Sequence, residues 1–281
     1  MQSNNPVFSR SEEFKRGGGA ATYQGYGTDP STWGTGEPGQ PGTPPTHAPV
    51  STGPMTIDSV VQKTAISLGV VMIAALATWV LTPDLETSAD LGPLYAAMVI
   101  GSLGAFALSM VNSFKRVISP PLVLAFAVLE GVALGALSKV MEAAFPQAEG
   151  LVTQAVIGTF AAFAGTLAAY KVLNIKVGDK FRKFVMAAVF GMIALSLLEL
   201  VLGIFGSSFG LFGFGFVGML TAIAGLVLGI FMLIMDFDFV EQGIANRIPE
   251  RESWRAAFAM TVSLVWIYTN LLRLLAIFSQ D

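Results

Sequence analysis

Five carboxylates are the residues of this 281-residue chain best placed to do chemistry, because each lies inside or at the end of a long apolar run: Glu130, Glu199, Asp236, Asp238 and Glu241. An acid near the middle of a bilayer costs about 2.5–3.5 kcal/mol on insertion scales, so acids kept there face a polar cavity or a buried partner. Glu130 sits near the centre of the third run, with no loop close enough for escape. Glu199 lies deep in the fifth run, toward its outer end. Asp236, Asp238 and Glu241 close the sixth, where carboxylates oppose the helix macrodipole. On a continuing helix Asp238 and Glu241 share a face, while Asp236 and Asp238 point about 200° apart. One interior partner cannot take both aspartates. In the seventh run Tyr268, Asn270 and Arg273 interrupt the apolar pattern, and the last two share a face. Arg273 either pairs with a buried carboxylate or snorkels outward. Glu199 either snorkels or bonds a neighbouring helix, and Asp238 and Glu241 are either functional or simply solvated. Trp254 and Trp266 read as packing or interfacial residues.

Missing residue types exclude much. There is no cysteine, which removes disulfides, thiolate metal sites and thiol nucleophiles. The one histidine, His47, lies in a Pro/Gly-rich stretch, so His-paired nucleophiles and His-rich metal sites are excluded from the folded part. An intramembrane aspartyl protease needs convergent aspartates on separate helices, but Asp236 and Asp238 share one. A retinal-type Schiff base would need a lysine late in the chain, and the last is Lys183. The chain therefore reads as a non-enzyme with no organic cofactor and no assigned metal site. Only 12% of residues are charged against 53% hydrophobic, where a soluble domain carries roughly 25% charged residues. A net charge of −3 gives no reason to expect a nucleic-acid partner.

The elements that must position these acids are helices. Seven apolar runs occupy about 60–81, 94–111, 120–138, 151–170, 184–205, 216–236 and 256–277. Most reach the roughly 20 residues that cross a hydrocarbon layer, predicting an all-α bundle of seven transmembrane helices over residues 55–281. Gly131, Gly135, Gly225 and Gly229 are the small residues that let membrane helices approach closely. Residues 1–54 hold 8 of the 14 prolines and 10 of the 30 glycines, and read as a disordered tail. Ser119-Pro120-Pro121 predicts an N-cap followed by prolines in a first turn. Pro83 and Pro93 bracket an acidic loop, and the Gly/Phe stretch 206–215 either lies at the interface or re-enters. With the N-terminus inside, 14 of the 16 Lys and Arg fall on the inner side, leaving Lys139 outside and Arg273 within the last run. The positive-inside rule then favours seven spans with a cytoplasmic N-terminus, and six spans with a re-entrant last segment as the alternative.

Two segments, LIMDFDFVEQ and SLVWIYTNLLRLLAIF, resemble the last two spans of the Bax inhibitor-1 (YccA-like) family. NPVFSR, MTIDSVVQKT and LAFAVLEGVALGAL look like its long-tailed actinobacterial branch. The resemblance implies a central helix surrounded by others, a bacterial inner-membrane location and, for several members, a pH-sensitive calcium leak. It also implies a pair of aspartates on the last two spans sharing a proton. The first matches Asp236; the second falls on Asn270, where this chain departs from the pattern. Oxygen donors suit hard cations, so Ca2+ is the favoured ion and Asp236, Glu130, Asn270, Asp238, Glu199 and Arg273 the candidate pathway or pH-sensing residues. The alternative is a non-conducting interaction protein that modulates a membrane protease or other partner, with the tail as its contact element.

Overall fold

A computed structural model describes residues 53–82 and 91–280. The leader 1–52 and the acidic loop at 83–90 lie outside the described residues, and with them most of the segment read as a tail. Seven long helices follow in order: α1 Ile57–Leu81, α2 Leu91–Phe114, α3 Pro120–Ala144, α4 Leu151–Val172, α5 Asp179–Ile204, α6 Phe216–Ala245 and α7 Ser253–Phe278. A 3-10 turn, Glu250–Glu252, precedes α7. All seven are long and apolar enough to cross a membrane. The last segment is a full helix, so the count is seven rather than six.

The ends form for local reasons. Thr56 caps α1 reciprocally with Ser59: the Thr56 hydroxyl accepts from the Ser59 N–H at 3.1 Å, and the Ser59 hydroxyl accepts from the Thr56 N–H at 3.2 Å. Ser119 occupies the N-cap of α3 as expected, but its side chain caps nothing. Pro120 and Pro121 leave no N–H at the first two helical positions, and the Leu122 N–H turns to the Ser119 carbonyl at 3.0 Å. Gly206 and Gly210 adopt φ of 71° and 75°, the left-handed region, and turn the chain between α5 and α6. The 206–215 stretch is thus a turn at the end of the bundle, holding no helix of its own.

Packing follows polarity. α7 carries Arg255, Thr261, Ser263, Tyr268, Asn270 and Arg273, groups that hydrocarbon cannot satisfy, and it is wrapped by α1, α3, α4 and α6. α5, almost purely apolar from Phe184 to Ile204, packs on α6 and leaves most of its surface outward. α2 packs on α3. Close approach uses the glycines identified from sequence: a Cβ on Gly135 would stand 2.9 Å from the Ala75 Cα of α1, and one on Gly229 would stand 2.7 Å from Ile267 of α7. Aromatic edges fill the wider gaps, Phe126 against Phe258 at 5.0 Å and Phe163 against Phe237 at 5.6 Å.

The helix ends that carry most of the basic residues are tied by charge and backbone pairing. Pro54 and Pro249 form an antiparallel bridge, with the Met55 N–H on the Ile248 carbonyl at 2.8 Å and the Glu250 N–H on the Gly53 carbonyl at 2.9 Å. Gly53 and Pro54, assigned to the tail from composition, therefore belong to the fold. Lys63 pairs with Glu250 at 2.9 Å, and buried Arg255 pairs with Glu252 at 2.6 Å. At the opposite end the Lys139 ammonium donates to the Trp79 and Thr82 carbonyls at 3.0 and 2.7 Å, a cation on the C-terminus of α1.

Because the α1–α3 clash at Gly135 is with backbone, side-chain rotation cannot relieve it. Gly135→Val should lower the melting temperature in detergent by the equivalent of about 1–3 kcal/mol. Gly165→Ala, whose Cβ meets nothing within 4 Å in the interior of α4, should not lower it.

Candidate functional site

The acids separate into three levels. α6 does not stop at Asp236 but continues nine residues to Ala245, so Asp236 lies more than two turns inside the helix. Its clash with the helix terminus, expected from sequence, is absent for that reason. Asp236 is 5% exposed and points at α7, where its carboxylate accepts from the Ser263 hydroxyl at 2.6 Å. Ser263 is the eleventh of 26 residues in α7, which places the pair near mid-depth. Asp236 has no cationic partner among the described residues. Ser67 of α1 is fully buried, and its hydroxyl has no hydrogen-bond partner among the described residues.

Asn270, the position matched to the second acid of the family pattern, is not the partner of Asp236. Its side chain lies over Gly225, and its amide donates to the Trp266 carbonyl on its own helix at 2.8 Å. Gly225 is eleven residues from Asp236, roughly 16 Å along the axis. The bare Gly225 makes room for the Asn270 amide, as it makes its carbonyl available to the Trp266 indole N–H at 2.8 Å. Trp266 is thus a packing residue.

Glu130 is half-buried on α3. The Phe126–Phe258 and Ser138–Tyr268 contacts set α3 beside α7 in parallel, which brings Glu130 level with residues 261–263 and so with Asp236. It makes no hydrogen bond or ion pair among the described residues, so the buried partner expected for it is not found there.

At the basic end, Asp238 points away from Asp236, as the 200° geometry requires. It pairs with Arg182 of α5 and accepts from the Gln242 amide at 2.7 Å. Glu241 accepts from the Tyr170 hydroxyl of α4 at 2.6 Å. These two acids fasten α4, α5 and α6 together.

At the opposite end, Glu199 and Arg273 hold the 206–215 turn between them. Glu199 accepts from the Phe209, Gly210 and Leu211 N–H groups at 3.0, 2.9 and 3.2 Å. Arg273 donates to the Leu211 carbonyl at 3.3 Å and the Thr221 hydroxyl at 3.1 Å, and lies 5.4 Å from the Phe212 ring centre. Neither of the two alternatives framed for each residue describes this. The carboxylate and guanidinium satisfy opposite backbone polarities of one turn.

Sequence reasoning missed Ser263, Ser67 and the Ser138–Tyr268 contact at 2.6 Å. That last pair lines a cleft of about 450 Å³ between α1, α3, α4 and α7, with Leu134, Glu142, Trp79 and Leu264 also in its wall. Neither Asp236 nor Glu130 lines it. Leu134 is one turn from Glu130, and Leu264 is adjacent to Ser263, so the mid-depth acids lie beneath its floor. No group of three or more metal-binding side chains occurs among the described residues.

Glu199 supplies the three charge-assisted bonds of the turn, and removing it should free the amides. Glu199→Ala should raise hydrogen exchange at 209–211 on the order of tenfold to a hundredfold, the equivalent of about 1.5–3 kcal/mol, with Glu199→Gln intermediate. Unchanged exchange in both variants would refute the clasp.

Comparison with known proteins adds to this geometry. No curated protein matches the chain. A family described as Bax inhibitor 1 like matches residues 5–280, nearly the whole length. With seven helices long and apolar enough to cross a membrane, the last of them wrapped by four others, the chain is a multi-pass membrane protein and belongs to the Bax inhibitor-1 family.

Proposed function

We propose that this protein is a pH-sensitive cation leak, with calcium the favoured ion, in a bacterial inner membrane and with its N-terminus in the cytoplasm. One observation carries the reading: a carboxylate, Asp236, is buried between α6 and the central helix with a single serine for company. An acid at this depth costs about 2.5–3.5 kcal/mol. Interhelical hydrogen bonds in membranes return about 0.6 kcal/mol on average and about 1.7 at most. Ser263 does not offset the penalty, and no guanidinium or ammonium does so among the described residues. A fold selected only for packing gains nothing from such a residue, and replacing it with leucine or asparagine would be cheaper. A carboxylate that changes charge as an ion or proton passes is a use that justifies it.

Glu130 supports the same reading, as a second carboxylate at that level without a basic partner among the described residues. Asp238, Glu241 and Glu199 are already bonded to Arg182, Tyr170 and the 206–215 turn, and Arg273 to the same turn, so they add less to this reading. Where the resemblance implies two acids on the last two spans, α6 and α7 pair Asp236 with Ser263, so only one member of that pair titrates.

The test is calcium entry into liposomes holding the purified protein, followed with a trapped dye at several pH values. The wild type should leak with a marked pH dependence that Asp236→Asn flattens and Ser263→Ala displaces. If Asp236→Asn and Glu130→Gln both leave flux unaltered at every pH, the leak reading is wrong.

Orientation is tested separately, and the absence of native cysteines makes it direct. In intact cells a membrane-impermeant maleimide should label Ser207→Cys, in the turn free of Lys and Arg, and leave Lys180→Cys unlabelled until the cells are opened. The reverse pattern would invert the topology.

A further inference from the structure

We infer that the cleft between α1, α3, α4 and α7 is a binding site for one acyl chain of a membrane lipid with a primary-ammonium headgroup, the phosphatidylethanolamine type. This inference is independent of conduction. Its volume, about 450 Å³, is within the roughly 300–1,000 Å³ of small-molecule sites. The wall is almost wholly apolar along its length, from Leu68 and Leu264 at the floor to Val156 and Trp79 nearer the mouth.

Two features select the occupant. The first is the route in. Met72 and Leu76 of α1 and Phe160 of α4 line the cleft and are 51%, 64% and 45% exposed. In a membrane-spanning bundle, apolar side chains exposed at that depth face hydrocarbon, so the cleft opens sideways between α1 and α4 onto acyl chains. What enters it is already in the bilayer. The second is the polar end. Glu142 is the twenty-third of the 25 residues of α3, within one turn of the helix end and so at headgroup depth. It lines the cleft beside Thr153, Ser138 and Tyr268, and makes no hydrogen bond or ion pair among the described residues. Lys139, three residues earlier, turns instead to the α1 carbonyls. A carboxylate at the mouth of an apolar slot complements an ammonium carried on an acyl-chain lipid, and three N–H donors match the carboxylate and neighbouring hydroxyl oxygens. A lipid with an anionic, ammonium-free head meets Glu142 with like charge.

Native mass spectrometry of the full chain, exchanged into mixed micelles of detergent with equal phosphatidylethanolamine and phosphatidylglycerol, reads the site. The wild type should retain one phosphatidylethanolamine in preference to phosphatidylglycerol by about tenfold, the value of a charge-assisted contact. Glu142→Gln should remove the preference, and Val156→Trp, which fills the slot, should remove retention of either lipid. Equal retention of both lipids by the wild type overturns the inference, as does retention by a folded Val156→Trp. Should Val156→Trp fail to fold, chain-brominated lipids give a second reading. The Trp79 contribution to fluorescence, taken as wild type minus Trp79→Phe, should be quenched more by brominated phosphatidylethanolamine than by brominated phosphatidylglycerol, and equal quenching overturns it.

Discussion

Hydrocarbon cannot accept or donate a hydrogen bond, and that constraint organises the bundle. α7 is the helix with most to lose in lipid, so it takes the centre. Ser263 meets Asp236 of α6, Tyr268 meets Ser138 of α3, the Trp266 indole meets the Gly225 carbonyl, and Arg273 meets the 206–215 turn. Each of these is a polar group on α7 finding a partner on a different segment. The glycines of α6 and α3 let the surrounding helices come close enough for such contacts, and the apolar α5 is left to face outward.

Charge is distributed unevenly along the bundle axis. Both ends are fastened by ionised groups with well-matched partners: Arg182 with Asp238, Lys63 with Glu250 and Arg255 with Glu252 at one end, and Glu199 and Arg273 about a turn at the other. The middle holds carboxylates without counter-charges among the described residues. Four of the acids and bases that stood out in the sequence, Asp238, Glu241, Glu199 and Arg273, have partners near the ends; lipid proximity makes any charge conspicuous whether it fastens a helix or does chemistry.

The bundle itself was legible, because seven apolar runs, the Pro and Gly punctuation and the Lys/Arg asymmetry are all one-dimensional signals. The partner of Asp236 was not, and the reason is the end of one helix. Hydropathy falls at Asp236, so the sixth run reads as finished there, but a helix continues as long as its polar residues find partners, and Asp238 and Glu241 find Arg182 and Tyr170. With α6 ending at Ala245 and α7 starting at Ser253, nine steps back along each helix bring Asp236 level with 262–263. Family pattern alone pointed to Asn270, about two turns away from Ser263. Glu199 was equally illegible, since its donors are backbone N–H groups ten to twelve residues on, which carry no side-chain signature.

The bridge between Pro54 and Pro249 ties the start of the described chain to the connection from α6 to α7. Two main-chain bonds rivet Gly53 and Met55 to that hairpin before α1 has completed a turn. Traction on the N-terminal segment would therefore be delivered to the joint between the two helices that hold Asp236 and Ser263, by a lever arm that bypasses the remainder of the bundle.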